Sequence, residues 1–239
     1  MSDQSIVISA SPHIHSDRTS KKLMYDVLIA LIPAFLMSIY LFGISALVLT
    51  SVAVSTCLLF EYLIQKYLLK TEVTTADGSA LLTGILLAFN LPATLPIWMV
   101  VVGSLVAIGV AKLSFGGLGN NIFNPALVGR VFLLVSFPVQ MTTWPIPVEN
   151  STTLVDATTG ATTLGIIKEE LMYGSTMSAI SSKIPSTADL LLGISGGSIG
   201  EMSALALLLG GMYLLARRVI TWHIPVTVLL SMAGFTGIF

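Results

Sequence analysis

Read for hydropathy, the chain is a series of apolar runs joined by short polar breaks. Crossing the hydrocarbon core of a bilayer as a helix takes about 20 apolar residues. Met24–Phe42 meets that length, Gly43 marks a tight turn, and Ser45–Tyr67 forms a second run with Glu61, Lys66 and Lys70 toward its far end. Ser79–Leu91 is apolar but short, opened by DGS and closed by NLPATLP, and Ile97–Leu113 is again long enough to span. After SFGGLGNNIFNP comes another short run, Ala126–Phe137, with Arg130 inside it. A polar stretch then runs from Pro138 to about Asp189; residues 202–216 span with some upstream help, RR follows, and Trp222–Phe239 begins a further helix. The pattern predicts an all-α, polytopic transmembrane helical bundle of about seven segments, with short broken helices and one long extracytoplasmic loop.

The expected organisation is a cytoplasmic N-terminal tail over 1–22, a first membrane helix bundle over 23–137, a loop over 138–200 and the start of a second, incomplete membrane half over 201–239. The last residues, GFTGIF, carry no polar tail, so the chain is expected to be a shortened version of a longer protein. The first 22 residues are polar, which predicts a retained tail in place of a secretory signal.

Composition agrees with a lipid setting. The chain has 239 residues, of which 54% are apolar and 10% charged, whereas a soluble domain carries about 25% charged residues. A net charge of −1 argues against a nucleic-acid partner. The single cysteine, Cys57, excludes disulfides within the chain and cysteine-ligated clusters; it reads as a small buried apolar residue. With the N-terminus in the cytoplasm and sides alternating, Arg18, Lys21, Lys22, Lys66, Lys70, Lys112, Arg217 and Arg218 all fall inside. Only Lys168 and Lys183 fall outside, which puts the 138–200 loop on the extracytoplasmic side.

Short, Gly- and Pro-interrupted apolar runs suggest broken helices around a midplane site, because their end groups must face protein, ligand or water. Arg130 either lines such a pathway, pairing with a partner there, or snorkels to an interface. The polar loop holds one unusual stretch, DATTGATTLG, with hydroxyls at Thr158, Thr159, Thr162 and Thr163, a carboxylate at Asp156 and conformational freedom at Gly160. From the residues alone, this is a turn in which Thr162 or Thr163 caps a short amphipathic helix, LGIIKEELMYG.

Asp156-Ala157-Thr158-Thr159-Gly160-Ala161-Thr162 also matches the pattern D-x-x-[S/T]-G-A-T. Together with SASPHIHSDRTSKKLMYDVLIALIPA, DGSALLTGILLAFNLP and GGLGNNIFNPALVGRVFLL, it makes nearly the whole chain similar to the D subunit of the Rnf redox pump and to the B subunit of the sodium-translocating NADH:quinone oxidoreductase. The resemblance implies a multi-pass subunit of the inner membrane that carries electrons within a multi-subunit pump moving Na⁺ or H⁺. It further implies FMN attached through its phosphate to Thr162 by an FMN transferase. Asp156, Thr159, Gly160 and Ala161 complete the attachment motif, with Gly160 and Ala161 leaving room for the transferase. The implied partners are the other Rnf subunits, the transferase and membrane lipid. No stand-alone catalytic residue and no metal ligand is implied.

DGS (77–79) and GLGNNIFNP (117–125) are read either as helix-end caps and close packing, or as contacts to a second, non-covalent flavin such as riboflavin or to an ion path. A solute channel or transporter of broken-helix type is the competing class, since it shows the same interrupted segments. His13 and His15 read as part of a solvated or partner-contacting tail, and Trp98, Trp144 and Trp222 as interfacial aromatics near helix ends.

Overall fold

The computed structural model describes residues 19–146, 159–160, 162–174, 184–193 and 196–238. His13 and His15 lie outside them, as do Asp156 and Ala161 of the attachment motif. The described chain is mostly helical. Helix α1 (Ser20–Phe42) starts at Thr19, whose hydroxyl accepts from Lys22 N, and stops at Gly43, where φ is 59° and the amide donates to Ile39 O. A residue with a Cβ is disfavoured in that geometry, so the expected turn at Gly43 has a steric cause. Helix α2 (Ile44–Leu63) runs on as a π-helical segment, Ile64–Leu69, and ends at Lys70. After one 3₁₀ turn (Thr75–Asp77) comes α3 (Ser79–Phe89), only 11 residues long. Helix α4 (Ile97–Leu105) likewise continues as a π-helical segment over Val106–Lys112, and α5 (Pro125–Ser136) leads directly into the short α6 (Pro138–Thr142).

Two short strands, β1 (Trp144–Pro145) and β2 (Thr159–Gly160), pair antiparallel, with Trp144 opposite Gly160 and Pro145 opposite Thr159. Then follow α7 (Thr163–Met172), α8 (Thr187–Leu192), α9 (Ala204–Ala216) and α10 (His223–Ile238). The polar stretch after residue 138, expected as loop with one helix, thus also contains α6, α8 and a small ladder.

Among the described residues, three continuous helices, Ser20–Phe42, Ile44–Leu69 and Ile97–Phe115, are long and apolar enough to cross a membrane, and four shorter apolar helices accompany them. Large apolar side chains such as Leu36, Tyr40, Val110, Val135, Leu229 and Leu230 are exposed on these helices. A water-soluble surface does not carry apolar area on that scale, so the outer solvent of the bundle is lipid. This is a multi-pass membrane protein.

Where helices meet, the contact is made by the absence of side chains. A Cβ on Gly84 of α3 would come within 2.7 Å of Val54 Cα and 3.0 Å of Ala53 O on α2. Gly129 of α5 is equally close to α4, where a Cβ would sit 2.9 Å from Gly103 O, and Gly210 of α9 abuts the backbone of Ala30 on α1. Lipid tails are as apolar as leucine, so association inside a bilayer relies on such close packing. Gly84→Ala is expected to destabilise the bundle by about 1–3 kcal/mol, because the obstructing atoms are main chain and cannot swing away; a lowered thermal midpoint of the detergent-purified protein checks it. The α1–α9 contact is also polar: Asp26 Oδ1 accepts from Arg217 Nη2 at 3.2 Å and from Tyr213 OH at 3.3 Å.

The break after α3 is closed by a distant segment. Ile199 N donates to Leu91 O at 3.1 Å and Gly200 N donates to Phe89 O at 2.9 Å. Ile199 is buried in the same core as Leu87, Leu91, Val100 and Leu133, and Gly200 lies so close to the Phe89 side chain that no Cβ fits.

Candidate functional site

The DATTGAT stretch meets the described structure at Thr159, Gly160 and Thr162. Thr159 and Gly160 form β2, and their partners Trp144 and Pro145 follow α6 within three residues. A Cβ on Gly160 would collide with the side chain of Ile146, so the glycine in this motif is packed beneath a neighbour of its own chain. The side of Gly160 that a Cβ would occupy is thus taken by Ile146.

Thr162 is the N-cap of α7. Its backbone is extended, with φ −65° and ψ 157°; its carbonyl accepts from Ile166 N at 2.9 Å, and its Oγ1 accepts from Gly165 N at 3.2 Å. Of the two threonines considered for capping, Thr162 is the one that does so. The side chain is half-buried. Its hydroxyl uses a lone pair in the cap and donates its hydrogen to no acceptor among the described residues, a combination open to a group at the oxygen. Backbone N–H groups and the helix dipole make this position favourable to a negative charge.

A second polar cluster lies inside the bundle. Lys112, at the end of the π-helical continuation of α4, donates to Glu61 Oε1 of α2 at 2.5 Å and to Ser79 Oγ of α3 at 2.6 Å. Glu61 and Lys112 are 0% and 1% exposed. Ser79 Oγ in turn donates to Asp77 Oδ1 at 2.6 Å, and Ser79 N donates to the same oxygen at 2.7 Å. One turn further along, on the π-helical continuation of α2, Gln65 Nε2 donates to Thr74 Oγ1 at 2.7 Å while Thr74 N donates to Gln65 Oε1 at 2.9 Å. Glu61 Oε2 and the hydroxyl of Ser104 are buried with no hydrogen-bond partner among the described residues. The cluster joins three helices and the segment between α2 and α3 through one neutral ion pair. Neither the DGS reading nor the charge count anticipates it: the charge count uses Lys112, at the end of the run Ile97–Leu113, only as one of the inside cations, and the structure shows it as a buried ion-pair partner. The available signal is a lone Glu and a lone Lys, each within an otherwise apolar helical run.

The other flagged residues fall into place more simply. Asp77 accepts hydrogen bonds at the start of α3, and Asn124 Oδ1 accepts from Ala126 N at 3.0 Å as the N-cap of α5, so DGS and the NP of GLGNNIFNP do serve as helix-end caps. Asn121 differs: its Oδ1 is buried and finds no partner among the described residues. Arg130 donates from Nη1 to Asn90 Oδ1 at 2.8 Å, and Asn90 Nδ2 donates to Leu86 O at 2.7 Å, so the arginine sits at the C-terminal end of α3, where a positive charge complements the helix dipole. Cys57 is buried and free.

A model of the NQR2, RnfD, RnfE family matches residues 7–239. The chain belongs to that family. Within it, the chain is 46% identical over 238 residues to the D subunit of the Na⁺-translocating ferredoxin:NAD⁺ oxidoreductase complex of Acetobacterium woodii, an alignment covering 98% of this chain and 70% of the relative. It is 42% identical to the D subunit of the proton-translocating ferredoxin:NAD⁺ oxidoreductase complex of Clostridium ljungdahlii, covering 97% and 71%. The D subunit of the ion-translocating oxidoreductase complex of Rhodobacter capsulatus is 41% identical, with 96% of this chain and 68% of the relative aligned. Two similar family members are thus named for different coupling ions.

Proposed function

We propose that this chain is the D subunit of an ion-translocating ferredoxin:NAD⁺ oxidoreductase complex and serves as an electron relay within the membrane, carrying FMN bound through its phosphate to Thr162. The subunit assignment is carried by near-full-length similarity to D subunits of such complexes, and these relatives favour it over a broken-helix solute transporter. The attachment reading is supported by the DATTGAT match and by the position of its last threonine. Esterification replaces the hydroxyl hydrogen of Thr162 and leaves on Oγ1 the lone pair that accepts from Gly165, so cap and linkage are compatible. The anionic phosphodiester then sits at the positive end of α7. Attachment through the phosphate leaves the ring system free, and the flavin supplies electron transfer that side chains cannot. The protein's own contribution is position: β2 is pinned to β1, Ile146 packs over Gly160, and the helix start fixes the acceptor oxygen. Asp156 and Thr159 serve recognition by the FMN transferase.

The orientation that goes with this reading has the N-terminus in the cytoplasm and residues 138–200 outside the inner membrane, as the Lys and Arg distribution favours. The coupling ion, Na⁺ or H⁺, is carried by the assembled complex with its other subunits. Mass spectrometry of a proteolytic peptide containing Thr162, taken from the assembled complex, tests the attachment. One added FMN localised to Thr162 is the expected result, and an unmodified peptide from cells that make the transferase would refute it.

One observation favours a second flavin, non-covalent and of the riboflavin type, beside the GLGNNIFNP loop: the buried, unpartnered Oδ1 of Asn121 offers a polar ligand an acceptor. Asn121→Ala is expected to lower the flavin released by denaturation of the purified complex while the covalently held flavin stays unchanged.

A further inference from the structure

Helix α7 carries an apolar stripe on its outside. Leu164 is 78% exposed, Leu171 54% and Met172 80%. Positions 164, 168, 171 and 172 share one helix face, because they follow the i, i+4, i+7, i+8 spacing. Lys168 is the exposed fourth member of that stripe, while Glu169 projects away from it and is also exposed. Burial against the described residues does not explain such a face, although the Thr162 cap gives the helix a defined start.

Where the helix begins narrows what covers it. β2 is hydrogen-bonded to Trp144 and Pro145, which follow α5 and α6. Two residues after β2 the chain is already at the N-cap of α7. At about 3.4 Å per extended residue, that leaves the helix start within roughly 10 Å of the ladder, beside the end of a membrane helix and an interfacial-type tryptophan. A lysine centred in the stripe fits lipid better than protein. Lysine is depleted from the cores of protein interfaces, whereas on an in-plane helix its stem lies among acyl chains and its ammonium reaches the phosphates.

We infer that α7 lies in the surface of the outer leaflet, with Leu164, Leu171 and Met172 among the upper acyl chains, Lys168 at the phosphates and Glu169 in water. The helix contact itself depends only on the membrane reading. Its consequence, that Thr162 and the group attached to it are held at headgroup level, rests on the flavin attachment proposed above. The face would thus act as a float that sets the height of the acceptor threonine.

The test uses the assembled complex in nanodiscs of phosphatidylethanolamine and phosphatidylglycerol. Cysteines introduced singly as Leu164→Cys, Glu169→Cys, Leu171→Cys and Met172→Cys are labelled with a nitroxide; the native Cys57 is buried and stays as the background. Collision with oxygen against collision with a water-soluble nickel chelate then reads depth. Labels at 164, 171 and 172 are expected about 5–10 Å below the phosphates, the usual depth of an in-plane helix, and the label at 169 in water. Nickel-accessible labels at 164 and 171 would overturn the proposal, and labels shielded from both reagents would overturn it in favour of a covering protein from elsewhere in the complex. In-gel flavin fluorescence of the same variants separates the two readings. A periodic depth profile without fluorescence sinks the flavin attachment alone, and fluorescence with water-exposed labels sinks the membrane contact alone.

Discussion

Thr162→Ala is expected, on the attachment proposed above, to abolish covalent flavin: the denatured chain should lose its in-gel fluorescence, and ferredoxin-dependent NAD⁺ reduction by the complex should fall to background. The same change removes the cap on Gly165 N, a loss of about 1 kcal/mol. That is too little to unfold the bundle, whose core lies in other helices, but it means that an alanine alone confounds two roles. Thr162→Asp resolves them. Aspartate caps a helix as well as threonine does, yet offers no hydroxyl to esterify, so stability is retained and fluorescence is still lost. Thr162→Ser keeps both. If Thr162→Asp kept its fluorescence, the acceptor would lie elsewhere in the loop.

The second large effect is on stability. Glu61 and Lys112 are both buried and joined at 2.5 Å, with Ser79 as a further partner of the lysine. Removing one member leaves an uncompensated charge in a low-dielectric interior, which costs about 3–5 kcal/mol. Glu61→Gln and Lys112→Met are each expected to lower the thermal midpoint of the purified complex sharply. Glu61→Gln combined with Lys112→Met restores most of the loss, because no orphan charge then remains. The checking quantity is the coupling in that double-mutant cycle; additive losses would mean that the two side chains do not act as a pair.

The membrane segments were readable because lipid imposes one requirement on every residue that faces it. Met24–Phe42 and Ile97–Leu113 differ from the observed helices by only a few residues, and the break at Gly43 follows from its backbone angle. The short runs 79–91 and 126–137 emerge as α3 and α5 for the same reason. What hydropathy cannot carry is pairing at a distance. Glu61 and Lys112 are separated by 51 positions, and each by itself looks like a charge near a helix end. At the candidate site, the threonine cap was legible from local spacing, while the packing of Ile146 on Gly160 was not, because it depends on a two-residue ladder between segments with no alternation to announce it. Arg130 lies between these cases: its cost in lipid was evident, its partner Asn90 was not.

The closure of α3 by residues 199 and 200 bears on how the chain is made. Synthesis delivers α3 to the membrane long before the two amides that satisfy Phe89 O and Leu91 O have been polymerised. Until the ribosome has passed Gly200, those carbonyls must be tended by water or by the insertion machinery, since bare carbonyls are costly in hydrocarbon. Maturation of the early helices therefore waits on residues made some hundred positions later, and the nascent bundle stays open on that side until they have been made.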